Sequence, residues 1–140
     1  MRRDMDIVRD LLKLSAATSA PRVDAYSLAS PSRSRELIAY HVRIMTQAGL
    51  VDSYVKPDDQ PAPASCFIKS LTWEGNDFLD SVESDTVWSK VKAKLAENVG
   101  SASFDVIKAV AKSVLLTQLG LIVQRGNETK PRFGGVFLFL

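Results

Sequence analysis

The most regular pattern of apolar and polar positions in the chain lies just before Gly49. At ~100° per residue, Ser34, Ile38, His41, Val42 and Met45 share one helical face, and Arg33, Glu36, Tyr40, Arg43 and Gln47 share the opposite one. Pro31 suits the first helical position, with Ser30 as its cap. Gly49 predicts a left-handed stop, after which Leu50 turns back into the core. Two runs rich in β-branched and aromatic residues follow, 50–56 and 65–71, and they predict an antiparallel hairpin. Residues 57–64 between them hold Pro57, Pro61 and Pro63, which predicts a stiff, exposed tip.

Helical spacing also runs over residues 3–14 through Met5, Val8, Leu11 and Leu12, with Asp4 and Asp6 near the positive end of that helix. Residues 22–29 fit either a short strand or a single helical turn. Between Pro21 and Pro31 there is no room for the full supporting helix of a helix-turn-helix, so an abbreviated helix or a strand is expected. After the hairpin, Thr72 caps a helix whose stripe is Trp73, Phe78, Leu79 and Val82. A further helix over 85–97, capped by Ser84 or Asp85, buries Val87, Trp88, Val91 and Leu95. A last one over 104–118, capped by Ser101 or Ser103, buries Phe104, Ile107, Ala111, Val114 and Leu115. The fold class that results is mostly α with a small β-hairpin (α+β). It comprises a winged-helix-like domain over 1–83, a C-terminal helical extension over 84–120 and a tail over 121–140. Val136, Phe137, Leu138, Phe139 and Leu140 are apolar on both faces of a strand. The tail is therefore expected to be covered, by a hairpin with Leu121–Val123 or by pairing with a second copy in a homodimer.

Charge changes this picture little. Lys plus Arg is 18 against 16 for Asp plus Glu, so the net charge is only +2. A nucleic-acid reading must rest on local clustering and not on bulk charge. Cys66 is the single cysteine, which excludes an intramolecular disulfide. No signal-peptide pattern and no membrane-length apolar run is present, so a cytoplasmic protein without membrane partners is the expectation.

Three stretches carry a resemblance. They are Arg3-Asp4-Met5-Asp6, then Ile38-Ala39-Tyr40-His41-Val42 with Ala48-Gly49-Leu50-Val51, then Leu71-Thr72-Trp73-Glu74-Gly75-Asn76-Asp77-Phe78-Leu79-Asp80 with Asp85-Thr86-Val87-Trp88-Ser89-Lys90. Together they resemble a domain-of-unknown-function family of small uncharacterised bacterial and phage proteins, over most of residues 1–120. The resemblance implies an origin in a phage or other mobile element, and it brings no activity and no site residue with it. More distantly, the Gly49-Leu50 and Leu71-Thr72 junctions look like those of winged-helix transcription regulators.

Catalytic chemistry finds little support. His41 reads as a hydrogen-bonded structural histidine and Cys66 as a small buried apolar residue. One His and one Cys do not make a zinc site of the usual composition. Asp77, Asp80, Glu83 and Asp85 read as a solvated face with a helix cap. No catalytic residue, metal ligand or cofactor is expected. The candidate contact residues are Arg33, Arg35, Tyr40, Arg43 and Gln47 on the central helix, with Lys56 and Lys69 in the hairpin. Arg and Gln pair with base edges, and wing lysines meet phosphate. Two functions stay open: a non-enzymatic accessory or regulatory protein that binds double-stranded DNA, and a protein-binding module on the same scaffold that engages a host protein or defence complex. If the helix face is open and continuous with Lys56 and Lys69, DNA gains; if acidic residues interrupt it, protein binding gains.

Overall fold

The computed structural model describes residues 1–98 and 102–120. The chain divides into two compact units, Met1–Glu83 and Ser84–Leu140. The first has the order α1 (Met5–Ala17), β1 (Val23–Asp24), a 3-10 turn (Ala25–Leu28), α2 (Arg35–Gln47), β2 (Val51–Lys56), β3 (Ser65–Leu71) and α3 (Trp73–Val82). The second holds α4 (Asp85–Asn98) and α5 (Phe104–Gln118). The α+β class read from the pattern holds.

In the first unit the strands form an antiparallel sheet in the order β1-β3-β2. The expected hairpin is present, and β1 adds a third strand to it. Residues 22–29, open between strand and helical turn, are both in succession. Asp24 is the hinge between them, its carboxylate accepting the Tyr26 N–H at 2.9 Å. One register shift falls at Asp52/Ser53, which leaves Lys69 as the extra residue of β3. This bulge keeps the alternation in phase. Val51, Ser53, Val55, Cys66, Ile68 and Leu71 lie on one side of the sheet, and α1 and α2 pack there. Asp52, Tyr54, Lys56, Ser65, Phe67 and Lys69 lie on the other. The core joins Ile7, Leu11 and Leu12 of α1, Ile38, Val42 and Met45 of α2, Ile68 of β3 and Phe78, Leu79 and Val82 of α3.

Helix α2 starts later than its apolar pattern indicates. Ser30 and Arg33 exchange both backbone hydrogen bonds, at 2.9 and 3.0 Å, and close a turn that holds Pro31. Ser34, not Ser30, is the cap, and its hydroxyl accepts the Leu37 N–H at 3.1 Å. The helix ends as expected. Gly49 has φ +77°, its N–H reaches the Thr46 carbonyl at 3.0 Å, and the Leu50 N–H reaches the Met45 carbonyl at 2.9 Å. This pair of bonds is the Schellman pattern, and Leu50 is buried behind it.

The start of α3 is built against that corner. The Thr72 N–H donates to the Leu50 carbonyl at 3.0 Å, and the Thr72 hydroxyl donates to the Gly49 carbonyl and accepts the Gly75 N–H. A Cβ on Gly75 would stand 2.0 Å from the Leu50 carbonyl oxygen, so only glycine lets the helix come this close. Trp73 corrects the expected apolar stripe. It occupies the first position of α3 and is 81% exposed, while Phe78, Leu79 and Val82 are buried. The first turn of α3 faces the Leu50 corner through Gly75, and that directs Trp73 outward.

Arg9 is a buried charge that the helical spacing did not mark. Its Nε donates to the Val82 carbonyl at 2.7 Å and its Nη2 to the Glu83 carbonyl at 2.9 Å. It thus satisfies open carbonyls at the end of α3 and places a cation at the negative pole of that helix. In the second unit, Ser84 and Ser103 cap the two helices; Val87, Trp88 and Val91 of α4 and Ile107, Ala111 and Val114 of α5 are buried. The expected tail hairpin or tail-mediated homodimer over 121–140 lies outside the described residues.

Gly75→Ala should cost roughly 3 kcal/mol or more, since the methyl group meets backbone and not a movable side chain. Chemical denaturation followed by circular dichroism measures it. A loss under about 1 kcal/mol, the ordinary range for a tolerated core swap, would show that the Leu50 corner yields.

Candidate nucleic-acid interface

The outward face of α2 meets the residues 57–64 loop and the 3-10 turn. Arg43 Nη2 donates to the backbone carbonyls of Asp58, at 3.0 Å, and Gln60, at 2.5 Å. The Tyr26 hydroxyl donates to the Pro63 carbonyl at 2.5 Å, and the Arg35 guanidinium lies 4.5 Å from the centroid of the Tyr26 ring. The expected stiff tip is therefore not a free one. Its residues 57–62 are exposed, but Pro63 is buried and the loop is sewn back to α2 and to the turn. Burial raises the Tyr26 phenol above its ordinary pKa, with Arg35 and Arg43 opposing that rise, so the phenol stays a donor.

The seven residues picked from the sequence do not form one surface. Arg35, Tyr40, Arg43 and Gln47 share the outward face of α2, with Arg35 and Gln47 exposed and Tyr40 and Arg43 half-buried. Arg33 precedes the helix and is ion-paired with Asp10 of α1 at 2.8 Å. Lys56 and Lys69 lie on the outer side of the sheet, the side opposite α1 and α2. The bulge and the alternation of β2 send them there; strand spacing alone carries no sign for which side a helix will cover. Exposed Glu36, Asp58 and Asp59 lie among the cations of the α2 face. The sequence reading missed Tyr26 as the partner of Arg35 and missed the outer sheet face altogether. The alternation Asp52, Tyr54, Lys56 was the available signal for that face.

His41 is fully buried and hydrogen-bonded at both ring nitrogens, as expected of a structural histidine. The Asp4 N–H donates to Nε2 at 2.8 Å, and Nδ1 sits 2.9 Å from the Leu37 carbonyl. Only the neutral ring with hydrogen on Nδ1 serves both partners. Burial lowers its pKa first, with Arg33 adding to that; the Leu37 carbonyl and Asp4 pull the other way. Cys66, on the helix side of β3, is fully buried, and burial pushes its thiol up to about 11. Neither group is exposed to a substrate. Among the described residues, no group of three or more His, Cys, Asp or Glu is disposed to hold a metal ion, and no helix is long and apolar enough to cross a membrane.

These features define an α+β unit with a polar, cation-bearing helix face and a tethered hairpin loop. The chain belongs to the family described as "Hypothetical protein (DUF2513)", whose pattern matches residues 2–102. It is similar to an "Uncharacterized protein" of Haemophilus influenzae (strain KW20 / Rd), with 27% identity over 121 residues, 85% of this chain and 99% of the relative. No solved structure matches it.

The lowered His41 pKa has a defined consequence for stability. Above the ordinary value of 6.5 both folded and unfolded states are neutral, and the stability from His41 is complete. As pH falls below that value, the unfolded state takes up a proton that the folded state refuses, so stability falls until the folded pKa is passed. Denaturation at pH 7.5 and 5.0 should show this loss, and His41→Phe should flatten the part due to this residue. An equal pH slope in the two proteins would contradict the assignment. In the same native samples Cys66 should resist thiol reagents until the fold opens.

Proposed function

We propose that the protein is a non-enzymatic, winged-helix-like DNA-binding accessory or regulatory protein. The observation that carries this reading is the path of the chain through the first unit. A helix, a short strand, an abbreviated helical turn and a second helix lead through a glycine stop into a hairpin, with strand order β1-β3-β2. In that layout α2 is the helix that would enter the major groove, and residues 57–64 form the wing. The face it would offer holds Arg35, Tyr40, Arg43 and Gln47, side chains able to meet base edges and phosphates. Exposed Ser32 and Ser34 lie just before the helix and add hydroxyl groups to this end of it. Arg43 holds the loop beside the helix and so pre-forms the wing. A place on a phage or other mobile element is in keeping with the resemblance noted above.

A second reading, a protein-binding module on the same scaffold, gains by the criterion set from the sequence, since acidic residues interrupt the helix face and that face is not continuous with Lys56 and Lys69. Arg33 is taken up by Asp10, the loop carries Asp58 and Asp59, and Lys56 and Lys69 do not extend the helix face. Trp73 stands 81% exposed, the kind of aromatic that anchors protein contacts.

A titration of labelled mixed-sequence duplex DNA at low salt separates the two. The DNA reading expects binding that falls steeply with added salt. Arg35→Ala should cost roughly 1–3 kcal/mol, the range for a lost bidentate contact, and Arg43→Ala should weaken binding by releasing the loop that Arg43 holds beside the helix. Trp73→Ala should leave binding unchanged. Absence of binding to genomic duplex at low salt would overturn the DNA reading and leave the protein-binding one.

A further inference from the structure

The outer side of the sheet carries a second surface that the α2 reading does not use. Tyr54 of β2 and Phe67 of β3 are cross-strand partners there. Tyr54 is 41% exposed although it is a large aromatic, and Phe67 is half-buried. The Arg22 guanidinium, just before β1, lies 4.4 Å from the Phe67 centroid and 5.8 Å from the Tyr54 centroid. Lys56 and Lys69 are exposed on the same side. Each strand or its lead-in thus contributes one cation, and the three surround one aromatic pair. Two carboxylates share this side. Asp24 already accepts the Tyr26 N–H, and Asp52 lies towards the end of the sheet opposite Lys56. A guanidinium plane and an exposed ring, flanked by lysines, are the parts with which sheets hold unpaired bases and track their phosphates.

We propose that the outer face of the sheet is a binding platform for single-stranded nucleic acid, with Tyr54 and the Arg22–Phe67 stack as base-stacking surfaces and Lys56 and Lys69 as phosphate contacts. The platform lies on the opposite side of the sheet from α2, so it stands or falls independently of duplex binding by that helix. An acidic peptide would meet the same cations but would have no use for the stacked planes. The charge and the cross-strand aromatic pair under Arg22 together favour the strand of bases.

The test is a fluorescence anisotropy titration of the full chain with a labelled single-stranded 20-mer, as DNA and as RNA, at low salt and at 0.2 M salt. Tyr54→Ala should weaken binding by about ten-fold, the scale of one lost stacked base, and Tyr54→Phe should retain it. Lys56→Ala and Lys69→Ala should weaken binding and each lower its salt dependence. Arg35→Ala should weaken duplex binding more than single-strand binding, and Tyr54→Ala should do the reverse, which separates this surface from the α2 face. Melting curves check that Tyr54→Ala still folds, and ultraviolet cross-linking of the wild type to a bromouridine strand should map to Tyr54 or Phe67. Three outcomes overturn the proposal. One is absence of single-strand binding at low salt. Another is equal binding by wild type and Tyr54→Ala, which would reduce the surface to unspecific charge. The third is displacement of the strand by a poly-glutamate peptide at equal charge concentration, which would make an acidic protein the partner.

Discussion

The first unit depends on one backbone group, the carbonyl of Leu50. Gly49 in its left-handed conformation ends α2 and turns Leu50 inward. The Leu50 carbonyl then receives the Thr72 N–H, and Gly75 passes so close to it that no side chain fits between. The end of the central helix, the base of the hairpin and the start of α3 are therefore tied at a single point. Arg9 ties the far end of α3 to α1 through the Val82 and Glu83 carbonyls, and His41 ties the start of α1 to α2. Three helices and a sheet are thereby linked mostly through backbone groups at helix ends. These groups would otherwise be unsatisfied, so each link removes a cost as well as adding a contact.

What was legible in the sequence follows from period and punctuation. The α2 stripe, the Gly49 stop and the two strands all rest on local residues, and local residues determine them. Thr72 was legible as a cap for the same reason, and Ser103 as one of two candidates with Ser101. Trp73 was misread because its spacing fits the stripe of α3, while its direction is decided by a contact between Gly75 and Leu50, 25 positions apart in sequence. Arg9 was passed over because a charged residue normally marks a solvated position. Its partners are carbonyls more than 70 residues away. Lys56 and Lys69 were placed with the helix cations because a strand pattern shows alternation without saying which side the helices cover.

The functional reading inherits that division. The outward face of α2 was visible as a row of polar side chains, but its tethering was not. Arg43 spends donors on the loop, Arg33 on Asp10, and Arg35 lies on Tyr26. Such tethering fixes side chains in place before any partner arrives and so lowers the entropy that binding must overcome. It also leaves fewer donors for the partner. The first effect favours a specific contact, the second a weak one, and the balance is a property of the partner's geometry. Burial keeps His41 and Cys66 away from any exposed surface.

The most direct test of that account is a residue-resolved map of duplex binding. Amide chemical-shift changes on titrating mixed-sequence duplex DNA into isotope-labelled protein report every affected position at once. The account predicts changes over residues 32–47 and in the 57–64 loop, with Asp10 and Tyr26 following through Arg33 and Arg35. Shifts confined to residues outside those segments, or a spectrum unchanged by DNA at low salt, would contradict it.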